Sequence, residues 1–225
     1  MSGPDNKRTK NLTDDLIADL AGDLTPVKRL DHPAKRLAKW LALALPVSLL
    51  LGAVVEQQHL TLALARIQDP RIVMELGAIF LTALSAGYAA LCSTQPGRLS
   101  KAWALPIVPF ALWLSLVGEN CWRLFEQIGP DQFSFAPHWT CFPSVAATGF
   151  APALVMVVLL KRGAWLTPSA TVALGTLAAS ALGAVGLRLY HPPDATALLM
   201  LWQLIATVTF LSLAGLVSSL RNRWS

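Results

Sequence analysis

Six long apolar runs constrain the fold of this chain more than any other feature of its sequence. They cover approximately residues 38–55, 73–93, 102–118, 142–160, 168–189 and 196–219. A helix that crosses the hydrocarbon layer of a membrane needs about 20 mainly apolar residues. The sequence therefore predicts an all-α membrane protein, a bundle of six transmembrane helices. The third run contains Pro106 and Pro109, which a spanning helix tolerates because neighbouring helices satisfy the freed carbonyls.

The composition agrees with a membrane protein. Charged residues make up 14% of the chain and hydrophobic residues 54%, whereas a soluble domain is about a quarter charged. The formal net charge of +5 does not indicate nucleic-acid binding, because the basic residues lie at the ends of the apolar runs. Residues 1–37 are polar and contain six Asp, so we expect no cleaved signal peptide and a first run that stays as an anchor.

The basic residues also predict an orientation. An alternating threading of the six runs places fourteen of the eighteen Lys and Arg residues on one side, and leaves only Arg66, Arg71, Arg123 and Arg188 for the other. Basic loop residues are retained in the cytoplasm. We therefore predict a multi-pass protein of a bacterial inner membrane, with both termini in the cytoplasm.

This topology divides the chain into three parts: a cytosolic segment at 1–37, a six-helix membrane domain at 38–219 and a cytosolic tail at 220–225. The opposite side receives residues 56–72, 119–141 and 190–195 as loops. A basic collar precedes the first span, where we expect contact with lipid headgroups. Its residues are Lys28, Arg29, Lys35, Arg36 and Lys39.

The cytosolic segment contains one predicted helix, at residues 13–24. Thr13 is a suitable N-cap and Pro26 ends the helix. Apolar side chains recur at helical spacing, and Asp residues occupy the other faces. The apolar positions are Leu12, Leu16, Ile17, Leu20 and Leu24, and the acidic positions are Asp14, Asp15, Asp19 and Asp23.

Two interpretations of this amphipathic helix stay open, and a third is disfavoured. A helix that lies on a membrane carries Lys and Arg on its polar face, whereas anionic lipid would repel these Asp side chains. The helix either buries its apolar stripe in a groove on a cytosolic partner, which we favour, or folds back on the chain's own cytosolic turns. The predicted partner-binding residues are Asp14, Asp15, Leu16, Ile17, Asp19, Leu20 and Leu24.

Thiols and imidazoles gather in the loops of the opposite side. Cys121, His138 and Cys141 fall in one loop and His191 in another. An oxidising compartment permits a disulfide between Cys121 and Cys141. The four residues could instead hold a thiophilic metal at the periplasmic face, although their spacing matches no strong zinc motif. Unpaired thiols and imidazoles are the third interpretation, and we assign no cofactor.

Other functions find less support in the sequence. No nucleophile elbow, phosphate loop or metalloprotease motif is present, so we expect no enzyme. A small transporter or channel subunit is the alternative, but Glu75, Glu119 and Asp194 lie near span ends and the middle of the bundle lacks ionisable side chains. A membrane scaffold is a third candidate.

A stripe of small residues lies on the fifth run, at Gly175, Ala179 and Gly183. It is best explained by packing within the bundle, and the oligomeric state stays open.

Several segments resemble one family in order along nearly the whole chain. They are TDDLIADLAGDLTPVKRL, IQDPRIVMELGAIFLTALSAGYAAL, LPIVPFALWL, LLKRGAWLTPSATVALGTLAASALGAVG and LYHPPDATALLMLW. Together they are similar to the NrsF-like family of bacterial membrane-bound anti-sigma factors. The resemblance implies a six-helix inner-membrane protein that holds an extracytoplasmic-function (ECF) sigma factor inactive through the N-terminal helix, until an envelope, metal or redox stress releases it.

The chain departs from the family's pattern at two positions. The family commonly has His-Cys-Pro before the last span, where this chain has His191-Pro192-Pro193, and a His after the Trp of that span, where this chain has Gln203. Cys141 matches the first member of the family's sensing cysteine pair, and nothing matches the second. Cys121 is the substitute partner that the sequence offers.

Overall fold

The computed structural model describes residues 14–22, 30–55, 60–96, 99–129, 141–163 and 168–190. Within these ranges all regular structure is helical, as the sequence predicts. The chain divides into two units, Met1–Leu30 and Asp31–Ser225. Helix α1, at residues 14–22, belongs to the first unit.

The second unit contains the remaining helices of the described ranges. They are α2 (Pro33–Val55), α3 (Leu60–Arg66), α4 (Pro70–Cys92), α5 (Leu99–Ala102), α6 (Ile107–Ile128), α7 (Cys141–Lys161) and α8 (Pro168–Tyr190). Three of them, α2, α4 and α8, have 23 residues each and are long and apolar enough to cross a membrane. These three helices support membrane association. The predicted sixth span, 196–219, lies outside the described residues.

Helix α8 lies at the centre of this unit and packs against α2, α4 and α7. Its small residues permit close approach. A Cβ added at Gly183 would lie 2.9 Å from the Cα of Gly149 in α7, and one at Gly175 would lie 3.1 Å from the Leu160 side chain. The predicted stripe therefore packs within the bundle.

A proline in α7 ties that helix to α2. Pro152 has no N–H, so the carbonyl of Thr148 receives no hydrogen bond from the backbone four residues later. The Ser48 hydroxyl of α2 donates to this carbonyl at 3.0 Å. The indole N–H of Trp40, two turns earlier in α2, donates to the carbonyl of Pro152 at 2.9 Å. Both donors are buried, so α2 supplies hydrogen bonds where α7 is irregular.

The third predicted span differs from the observed helix. Helix α6 begins after Pro106 and has Pro109 in its first turn, where a missing N–H costs no helical hydrogen bond. The prolines therefore start the helix, and the prediction that a span begins near residue 102 was wrong. The helix also continues to Ile128, so residues 119–128 are helical rather than the predicted loop. An ion pair between Glu119 and Arg123, four residues apart, supports this extension.

Candidate functional site

Helix α1 exposes the apolar side chains predicted to bind a partner. Leu16 and Ile17 are each 58% exposed and Leu20 is 61% exposed. Burying one such side chain yields about 1.5–3 kcal/mol, so this helix offers a partner a large apolar gain. The predicted acidic residues Asp14 and Asp15 are also exposed.

Asp19 shares this exposure within α1. Leu24, the last predicted partner-binding residue, lies outside the described residues, and so does the predicted N-cap Thr13. In the described part of α1 the apolar and acidic positions thus occur on one short helix, in the pattern that an electrostatically steered hydrophobic contact requires.

A second group of polar contacts, here called the Arg36 cluster, lies where α2 begins. The Arg36 side chain donates to the Thr94 hydroxyl at 3.0 Å and to the carbonyl of Leu159 at 2.5 Å. Thr94 follows the end of α4, and Leu159 lies in the last turn of α7. Helix C-termini carry partial negative charge, so two of them offset the cost of burying this guanidinium. The prediction that Arg36 contacts lipid headgroups was wrong, because only 4% of Arg36 is exposed.

The neighbouring lysines of the predicted collar remain at the surface. Lys39 and Lys35 donate to the carboxylate of Asp31 at 2.6 and 3.4 Å. The hydrogen bond from Lys39, followed by that from Lys35, lowers the pKa of Asp31. Because the pKa of Asp31 is lowered in the folded state, these contacts stabilise the fold at any pH above the ordinary pKa of Asp. That stabilisation is lost as the pH falls through the pKa of Asp31 in the folded state. The Gln95 amide also donates to the Asp31 carbonyl at 3.2 Å, which fixes the start of the second unit.

At the opposite end of α4 lies a buried ion pair, here called the Glu75 cluster. Arg188 of α8 donates through Nε to Oε2 of Glu75 at 2.9 Å, and the Asn120 amide of α6 donates to the same oxygen at 3.1 Å. Glu75 is 1% exposed and Arg188 12% exposed. Arg66 of α3 donates to the carbonyls of Arg188 and Leu189, which attaches α3 to the same end of α8.

The Glu75 cluster was not predicted from the sequence. Glu75 lies near the end of one predicted span and Arg188 near the end of another, and no local pattern pairs them. The available signal was that opposite charges at matching depths of two apolar helices are costly unless they pair.

The predicted sensing residues are only partly described. Cys121 is half-buried in α6, next to Asn120 of the Glu75 cluster. Cys141 is the first residue of α7, but its side chain, His138 and His191 lie outside the described residues. The disulfide and the metal site therefore stay predictions. Among the described side chains, no group of three or more His, Cys, Asp or Glu residues forms a metal site.

These features define a class: a helical, membrane-associated protein whose first unit exposes an acidic amphipathic helix. Comparison with known proteins shows the family to which the chain belongs. The chain belongs to the NrsF family, described as negative regulator of sigma F, whose model matches residues 20–224. It is therefore a member of a family of anti-sigma factors, and the predicted resemblance is confirmed.

The match begins at Leu20, so it covers only the end of α1, and Asp14 to Asp19 precede it. No curated protein and no solved structure shows a significant match to the chain.

Proposed function

We propose that the chain sequesters an ECF sigma factor at the cytoplasmic face of the inner membrane. Residues 11 to about 30 cover a surface that the sigma factor needs in order to bind RNA polymerase. The observation that carries this proposal is the exposed apolar and acidic pattern of α1 in a family that negatively regulates a sigma factor. Leu16, Ile17, Leu20 and Leu24 supply the apolar contact.

The proposed topology is a bundle of six membrane spans with both termini in the cytoplasm. It comprises a cytosolic segment at 1–37, a membrane domain at 38–219 and a tail at 220–225. The asymmetric distribution of Lys and Arg supports this orientation, and the lengths of α2, α4 and α8 support spanning. In this topology the Arg36 cluster faces the cytoplasm and the Glu75 cluster faces the periplasm.

The acidic side chains of α1 steer the sigma factor toward the helix. Neutralising three of them, with Asp14→Asn, Asp15→Asn and Asp19→Asn, is expected to slow association with a basic sigma surface and to change dissociation little. Surface charges are screened within about 10 Å at 0.1 M salt, so association should slow as salt rises, and it should slow less for the variant than for wild type. The measurement is surface-immobilised binding of a purified sigma factor, encoded by an adjacent gene, to the full chain in detergent. Failure of the wild-type chain to bind at any salt concentration would exclude the proposed function.

An envelope, metal or redox stress is the proposed signal for release, with Cys121, Cys141, His138 and His191 as the sensing residues. We expect a membrane-impermeant thiol reagent to label Cys121 and Cys141 in untreated cells and to label them less after an oxidant or a thiophilic metal. A Cys92→Ala background removes the third thiol of the chain. Equal labelling before and after treatment would remove the sensing role.

A further inference from the structure

The Glu75 cluster is costly for a contact that only joins two helices. Two ions leave water when Glu75 and Arg188 are buried, and their attraction rarely recovers that cost in full. The carboxylate is also incompletely satisfied, because Oε1 of Glu75 accepts no hydrogen bond from the side chains or backbone that the structure describes. Apolar side chains of similar size would join α4 and α8 at lower cost. Stabilising the fold therefore does not by itself explain why this ion pair is buried between α4 and α8.

The same two helices meet again at their other ends. The Ser93 hydroxyl, just after α4, and the Thr171 hydroxyl, in the first turn of α8, form a buried hydrogen bond of 2.6 Å. At a rise of about 1.5 Å per residue, the 19 residues from Glu75 to Thr94 extend over roughly 28 Å. Helices α4 and α8 thus connect the Glu75 cluster to the Arg36 cluster.

The Arg36 cluster lies at the start of α2, close in sequence to the end of the first unit. Arg36 is six residues beyond Leu30, where the first unit ends. Its guanidinium binds Thr94, the neighbour of Ser93, so a shift at the end of α4 changes the contacts of α2 at its start. The Gln95 side chain holds the Asp31 carbonyl and would move with the same segment.

We propose that the Glu75–Arg188 ion pair is a latch whose closed form retains the sigma factor and whose separation releases it. This inference rests on the proposed function. The two charges stay buried only while they are paired, so the latch has two discrete states rather than a continuum. Separation lets α4 and α8 shift relative to each other, which disturbs the Ser93–Thr171 bond and then the anchoring of Arg36. The cytosolic segment then presents α1 differently.

The test compares thermal stability with sigma-dependent transcription in variants of the full chain. Glu75→Gln leaves Arg188 buried without its partner charge, and is expected to lower the melting temperature and raise transcription. The double variant Glu75→Met/Arg188→Met removes both charges and is expected to regain the wild-type melting temperature. Because the apolar pair still joins α4 and α8, this variant should also repress transcription. After an oxidant or a thiophilic metal it should release the sigma factor about tenfold less than wild type, within the range typical of coupling between distant sites. Release equal to that of wild type would show a purely structural pair and overturn the latch.

A second variant covers the case in which the methionine pair packs poorly. The reversed pair, Glu75→Arg with Arg188→Glu, keeps opposite charges at both positions and is expected to repress transcription again. A reversed pair that melts like wild type and fails to repress would also overturn the latch.

The matched control is Glu119→Met/Arg123→Met, which removes the exposed ion pair of α6. Neither its stability nor its repression should change. The wild-type chain separates the two hypotheses. If it does not lower transcription, the proposed function fails. If it does and the Glu75→Met/Arg188→Met variant releases the sigma factor as readily as wild type after the same treatment, only the latch fails.

Discussion

Replacing Leu16 and Leu20 with Asp is expected to abolish retention of the sigma factor by the full chain. Each buried Leu contributes about 1.5–3 kcal/mol, so the pair contributes about 3–6 kcal/mol. Every 1.4 kcal/mol changes a dissociation constant about tenfold. The variant should therefore bind at least about 100-fold more weakly, before the cost of burying two carboxylates is added. Co-purification of the chain with the sigma factor measures the loss.

The control for this pair is Ala18→Asp/Gly22→Asp. It adds the same charge to α1, on the face opposite Leu16 and Leu20, and all four positions are exposed. A Cβ at Gly22 would meet nothing within 4 Å. Because the control leaves the apolar stripe intact, it should retain the sigma factor. Undiminished binding by the Leu16→Asp/Leu20→Asp variant would exclude the apolar contact. Equal loss in both variants would assign the effect to charge or to helix stability instead.

Substituting Gly186 with Val is expected to destabilise the bundle more than any surface change. A Cβ at Gly186 would lie 2.9 Å from the carbonyl oxygen of Ser48 and 3.3 Å from its hydroxyl. The backbone of Ser48 cannot move aside as the end of a flexible side chain can, so α2 and α8 would have to separate to make room for the Val side chain. Inserting carbon atoms into a packed core costs about 1–3 kcal/mol, and more where backbone must move. We expect a cost of about 3 kcal/mol, which corresponds to roughly 6–12 °C in melting temperature for a chain of this size.

Gly77 provides the matched control for this substitution. It lies within α4, and a Cβ there would meet nothing within 4 Å. Gly77→Val should change the stability by only a few tenths of a kcal/mol, since Val and Gly differ little in helix propensity compared with a steric clash. Thermal unfolding of both purified variants, followed by circular dichroism, makes the comparison. Equal melting temperatures would contradict the close packing of α2 against α8.

The sequence predicted helices well where one apolar run corresponds to one helix. The runs at 38–55 and 168–189 lie within α2 and nearly coincide with α8. The start of the third helix was predicted wrongly because a hydropathy pattern treats Pro106 and Pro109 as ordinary positions inside an apolar run. Their missing N–H groups instead favour a helix start. Hydropathy also ended the span before Glu119, where the side-chain pair with Arg123 continues the helix.

The buried ionic contacts were harder to predict, for a different reason. Arg36 is one of eight basic residues in the first forty, and composition does not distinguish it from the others. Only its position four residues before Trp40, on the buried stripe of α2, marks it. The Glu75–Arg188 pair joins positions 113 apart. No local pattern shows that α4 and α8 are neighbours, so the pairing follows from the tertiary arrangement.

The bond between Ser48 and the Thr148 carbonyl has a consequence for how the protein is made. The two residues are 100 positions apart, so α2 is synthesised long before α7. In the proposed topology α7 lies in hydrocarbon, where lost backbone hydrogen bonds are costly, and Pro152 removes the backbone donor that would reach the Thr148 carbonyl. We therefore expect the insertion of α7 to depend on α2 having been inserted into the membrane first.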